Sequence, residues 1–115
     1  MDTKALEKIK ASIGKIPEFK TTLTKGYGLA QLSFKAKHSP NYSYRIIWGE
    51  KSGEYTYISD LFPENPYSYG GDPYGARIAK DKIAVSLEEN KTYYLRIVCY
   101  SKGKPFEISD EVCFC

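Results

Sequence analysis

Histidine, tryptophan and methionine each occur once in this 115-residue chain, and cysteine three times. With His38 as the one imidazole, a histidine-based metal site has no second ligand of its own kind. Ser39 lies next to it in sequence, but a catalytic triad is assembled from separate segments, so the pair reads as an exposed loop. Three arginines are few for a nucleic-acid reader. No uncharged apolar run exceeds a few residues, which excludes a transmembrane helix. There is no phosphate-cradling P-loop, no G-x-G-x-x-G after a strand, and no catalytic-cysteine signature. These absences lead us to expect no catalysis, no metal and no cofactor.

The cysteines are Cys99, Cys113 and Cys115. Three thiols cannot all pair within one chain. In an extended run the side chains of Cys113 and Cys115 point the same way, roughly 6–7 Å apart, which is poor disulfide geometry. Met1-Asp2-Thr3-Lys4 opens an amphipathic stretch rather than an apolar leader segment. The expectation is a protein made in the cytoplasm without a signal peptide and kept in a reducing compartment.

What is abundant is tyrosine, eleven of the 15% aromatic residues, within 42% hydrophobic and 27% charged residues. That composition belongs to one globular domain, neither disordered nor membrane-spanning. The net charge of +3 is uneven, because residues 1–37 carry eight Lys against Asp2, Glu7 and Glu18. Such a basic first third steers toward acidic partners without specifying nucleic acid.

Two periodicities divide the chain. Over residues 1–17, Leu6, Ile9, Ile13 and Ile16 recur at spacings of three and four, predicting an amphipathic helix begun by Asp2 or Thr3 and stopped by Gly14 and Pro17. A helix this short needs its stripe docked on the rest of the domain, a second copy or a partner. From residue 19 the period becomes two. Strands are expected at 19–24, 29–37, 42–48, 55–58, 83–87, 92–101 and 106–114, with turns at 51–53 and 102–104. Leu32, Phe34 and Ala36 share one face, as do Tyr44, Ile46 and Trp48. Residues 61–77 interrupt this rhythm with three Pro and three Gly, a loop long enough to be functional. Seven short alternating strands describe an all-β antiparallel sandwich.

Particular residues narrow this further. Leu87-Glu88-Glu89-Asn90-Lys91-Thr92-Tyr93 resembles the E–F corner of fibronectin type III domains, in which a Leu precedes by six positions the tyrosine that opens strand F. Tyr44 to Thr56 looks like the C to C′ segment of bacterial-type and phage-type members. Ser101-Lys102-Gly103 and Ser109-Asp110-Glu111-Val112 look like the F–G turn and the start of strand G. The resemblance covers residues 19–115. It implies a seven-stranded antiparallel Greek-key β-sandwich of the immunoglobulin-like type, with Tyr93 as corner tyrosine and Leu95, Ile97 and Cys99 following into the core. The chain departs from the pattern in three respects: Phe34 stands where strand B usually has Trp, the C′–E linker is long, and residues 1–17 lie outside the module.

The loop at 61–77 combines Tyr, Gly and Ser with one Asp and one Arg, the composition of antibody-like binding loops. Tyr67, Tyr69, Asp72, Tyr74 and Arg77 are its candidate contact residues, although the same rings would serve equally to cover the sandwich. The leading expectation is a non-enzymatic protein-interaction or structural assembly module, such as an accessory component of a virus or phage particle. Its contacts would be made through that loop or through Leu6, Ile9, Ile13 and Ile16. The alternative is a carbohydrate- or cell-surface-binding module in which the loop tyrosines stack on sugars.

Overall fold

The computed structural model describes residues 2–26, 28–37, 41–63 and 82–115. The candidate contact residues Tyr67, Tyr69, Asp72, Tyr74 and Arg77 lie outside them, as does His38. Among the described residues there are one helix and ten strands. Helix α1 spans Thr3–Ser12, and the Asp2 carboxylate caps it by accepting from the Ala5 N–H at 3.0 Å. It ends earlier than the 1–17 stretch suggests: Ile13 is already extended and Gly14 turns the chain with φ +86°.

The strands form two sheets. In the smaller, β2 (Thr21–Gly26), β3 (Leu29–Phe34) and β7 (Lys82–Ser86) pair antiparallel in the order β2-β3-β7. In the larger, β4 (Tyr42–Gly49) and β8 (Tyr93–Ser101) are the long central pair, with Ile46 opposite Ile97. Beyond β8 lie β9 (Lys104–Ser109) and β10 (Val112–Phe114); beyond β4 lie β5 (Tyr57–Ile58) and β6 (Phe62–Pro63). The short β1 (Glu18–Phe19) joins the far edge of β9 in parallel, the one departure from antiparallel pairing among the described strands.

Several expected strands are thereby redrawn. The closing strand 106–114 is two pieces, because Asp110 and Glu111 leave the ladder to bond elsewhere. The segment 55–58 shortens to two residues, because Tyr55 turns into the core instead of pairing. Gly49 permits the tight β4–β5 hairpin: a Cβ there would sit 1.9 Å from the Glu54 carbonyl oxygen.

Between the sheets, Ala30, Leu32 and Ile83 meet Tyr44, Ile46, Leu95, Ile97 and Phe114, each no more than 1% exposed. This is the interior of a β-sandwich, with Phe34 and Cys99 in the same cluster as their alternation requires. The outer face of the larger sheet is buried as well. Ile47, Val98, Tyr100 and Ile108 form a second cluster with Tyr55, and Leu6 and Ile9 of α1 complete it. Ile13 and Ile16 pack at its margin. The stripe on α1 is therefore docked within its own domain. This second burial explains why β4 and β8 read as near-continuous apolar runs (Ile46-Ile47-Trp48, Ile97-Val98-Cys99).

The cysteine expectation is corrected. Cys113 and Cys115 are joined by a disulfide, their Cα atoms 5.7 Å apart, within the span a disulfide bridges. Cys99 is the free thiol, buried in the core with its pKa pushed up to about 11 by desolvation. The pairing removes the cysteine argument for a reducing compartment.

Ile9 is fully buried, and Ile9→Ala is expected to lower unfolding free energy by about 2–5 kcal/mol through lost burial and a residual cavity. Ile13→Ala, at the cluster margin, costs less. Urea unfolding followed by circular dichroism measures both, and equal small losses would contradict docking of α1 on its own sheet.

Candidate functional site

Two groups of polar and aromatic side chains stand out on the larger sheet. The first lies where the C-terminal strand breaks. Glu111 accepts from the Gly53 N–H at 2.9 Å, from the Ser52 hydroxyl at 2.6 Å, and from the Tyr55 hydroxyl. Tyr55, 1% exposed, in turn accepts from Arg96 Nε at 2.8 Å. The Arg96 guanidinium also donates to the Ser109 carbonyl at 2.9 Å and pairs with Glu18 at 3.3 Å. Next to it, the Asp110 carboxylate accepts from the Thr21 N–H at 3.0 Å.

These bonds set the electrostatics. Burial alone would raise the Glu111 pKa, but the hydrogen bonds from Ser52, Tyr55 and Gly53 hold it below its ordinary value. Burial, reinforced by the bond to Glu111, pushes Tyr55 up to about 12. The three donors to Glu111 and both partners of the Tyr55 hydroxyl come from the chain's own hairpin and strands. The cluster positions backbone: it ties the β4–β5 hairpin to the chain between β9 and β10.

The second group lines an open groove of about 430 Å³ at one end of the sandwich. Trp48 and Tyr57 are cross-strand partners whose rings stack, centroids 5.7 Å apart and planes 21° from parallel. Leu87 and Tyr93 continue the apolar wall, and Tyr93 also packs on Phe114 at the start of β8. Above them Lys91 reaches Glu88 at 3.1 Å and Glu50 at 3.4 Å, spanning the groove between the β4–β5 hairpin and the β7–β8 corner. Both carboxylates pull the Lys91 pKa up. All three groups are half exposed or more, so they can exchange these pairs for a ligand at small cost.

Among the described residues, no three His, Cys, Asp or Glu side chains gather into a metal-holding group. Of the sequence candidates, Leu6, Ile9, Ile13 and Ile16 are brought together, on the chain's own sheet. Alternation puts Trp48 on one face with Tyr44 and Ile46 but does not reveal Tyr57 as its partner, because the short strand is expected to begin at Tyr55. The register that pairs 48 with 57 is set by a two-residue turn at 52–53, with Lys51 opposite Glu54. The convergence of Glu50, Glu88 and Lys91 from two separate turns had no local signature.

No protein-family model matches the chain, and no curated protein matches it in sequence. No described helix is long and apolar enough to cross a membrane.

Two pH effects follow. Glu111, with its folded pKa depressed, contributes stability that is present above its ordinary value near 4.5 and lost as pH falls through the folded pKa. Glu111→Gln is expected to flatten the acid limb of a plot of urea midpoint against pH. Tyr55, with its folded pKa raised from 10.0 to about 12, contributes stability that is full below pH 10 and lost as pH rises toward 12. Tyr55→Phe should flatten that alkaline limb. Limbs unchanged by both substitutions would show that the cluster is not ordered in solution.

Proposed function

We propose that this chain is a non-enzymatic fibronectin type III-like module that works by protein contact, through self-association or by holding a partner in a multi-copy assembly such as a virus or phage particle. The Greek-key connectivity and the family resemblance belong to this proposal. Their support is that the β4–β5 hairpin, the β7–β8 corner and the β8–β9 turn fall where the resemblance puts C–C′, E–F and F–G. The F–G turn is made by Lys102 and Gly103, both at positive φ.

The observation that carries the contact role is Phe106. A register shift between Cys99 and Tyr100 interrupts the β8–β9 ladder, and Phe106 in β9 stands 43% exposed with its ring 5.9 Å from Tyr42. Leu61, at 45%, is another large apolar side chain held out in solvent. Because Leu6 and Ile9 are spent on the interior, contacts to other proteins run over such exposed apolar side chains and not over the stripe of α1. The loop at 61–77 keeps its proposed role as a contact surface, with Tyr67, Tyr69, Asp72, Tyr74 and Arg77 as its candidate contacts and the three tyrosines as those for sugar.

Light scattering on size-exclusion fractions of the full chain tests this. The expected result is a multiple of the 13.1 kDa chain mass that falls to monomer in a Phe106→Ser, Leu61→Ser double variant. Ile9→Ala should alter stability without altering mass. A monomer at high concentration, with no photo-crosslink from position 106 to any co-purified protein, overturns the contact role of this surface.

A further inference from the structure

We propose that the groove between the β4–β5 hairpin and the β7–β8 corner is a binding site for a neutral saccharide, with the Tyr57 ring, backed by Trp48, as its stacking face. This rests on the reading of the chain as a binding module, and assigns to it a ligand class and a site independent of the 61–77 loop.

Three features select the ligand. The first is the platform. The Trp48 and Tyr57 rings stack on one another, their planes 21° apart, so the indole backs the phenol ring and Tyr57 supplies the open apolar face. A pyranose ring has a face of C–H groups, slightly positive, that lies flat on such π surfaces, whereas its edge carries hydroxyls. Tyr57 is 40% exposed although it sits in a strand beside the core, so its ring is presented rather than buried. The second is the polar rim. Glu50 and Glu88 offer carboxylate acceptors and Lys91 offers ammonium donors, arranged above the rings from two separate turns. Sugar hydroxyls both donate and accept, so a rim with both kinds of group can satisfy them. Because each rim group is half solvated, replacing water or a rim partner by a hydroxyl carries little desolvation penalty.

The third feature is charge and size. Two carboxylates against one ammonium leave the rim at −1, which disfavours phosphates, sulfated sugars and uronic acids. At about 430 Å³ the groove lies within the range of small-ligand sites. It is also open, as a site for one or two units of a longer chain must be. A proline-rich peptide is the other ligand for aromatic grooves, but it docks between separated rings that act as slots. Here the rings contact each other and leave no slot.

Trp48 is the single tryptophan of the chain, so its fluorescence reports on the groove directly. The full chain would be titrated with gluco-, manno-, xylo-, galacto- and N-acetylgluco-oligosaccharides and, separately, with a polyproline decamer. Amide shifts of residues 50, 57, 88 and 91 would be followed in parallel by NMR. The expected result is a saturable change in Trp48 emission with at least one neutral oligosaccharide, with the shifts confined to the groove. Affinity should fall about tenfold or more in Tyr57→Ala, whose circular dichroism stays that of the parent. Tyr57→Phe, which keeps the ring, should retain most of the affinity. No saturable change with any sugar overturns the proposal, as does binding that Tyr57→Ala leaves intact. Saturation by the polyproline decamer alone replaces the saccharide with a peptide ligand. None of these outcomes bears on the oligomer mass or the crosslinks at Phe106, so failure of the saccharide site stays separable from failure of the contact role.

Discussion

The β4–β8 pair is buried on both faces, and most of the architecture follows from that. One face, with Tyr44, Ile46, Leu95 and Ile97, closes on the smaller sheet; the other, with Ile47 and Val98, would be an exposed apolar patch without α1. Two arginines stand on that outer face at the edges of the patch. Arg45, 13% exposed, pairs with Asp2 at 3.7 Å and lies over the Tyr100 ring; Arg96, 16% exposed, pairs with Glu18 at 3.3 Å. The acids that bracket the N-terminal segment thus meet the cations that bracket the patch. With half-exposed carboxylates these pairs add little stability, but they set the direction in which the segment lies.

The same sheet carries both sites, through one hairpin. Leaving β4 at Gly49, the chain makes a turn whose Ser52 and Gly53 donate to Glu111, sends Tyr55 under the helix-side cluster, and returns Tyr57 to Trp48. The cluster around Glu111 therefore anchors from one side the hairpin whose other side forms the aromatic platform. Loss of the anchor would therefore loosen Tyr57, one wall of the groove.

Much of this was legible in the chain. The helical spacing of Leu6, Ile9, Ile13 and Ile16 and the alternation at Leu32, Phe34 and Ala36 report burial directly, because a side chain's face follows from its position in a 3.6-residue or two-residue period. The turns at 51–53 and 102–104 were legible because glycine at positive φ marks them. Less visible is the outer face of β4 and β8, where Arg45 and Arg96 amid apolar residues suggest solvent, yet the apolar cluster of that face is covered by Leu6 and Ile9 of α1. The Cys113–Cys115 bond is not legible from spacing, because ideal strand geometry does not hold in a strand of three residues at the end of a broken ladder.

By itself, the sequence determined the element types, the turns, the inward faces and the existence of a short helix that must dock. All of these depend on local period and backbone preference. Only the tertiary structure decided where that helix docks, that the last strand breaks so that Glu111 can take three donors, and that Glu50, Tyr57, Glu88 and Lys91 share one groove. Those outcomes depend on contacts between segments tens of residues apart, and no spacing within a single segment encodes them.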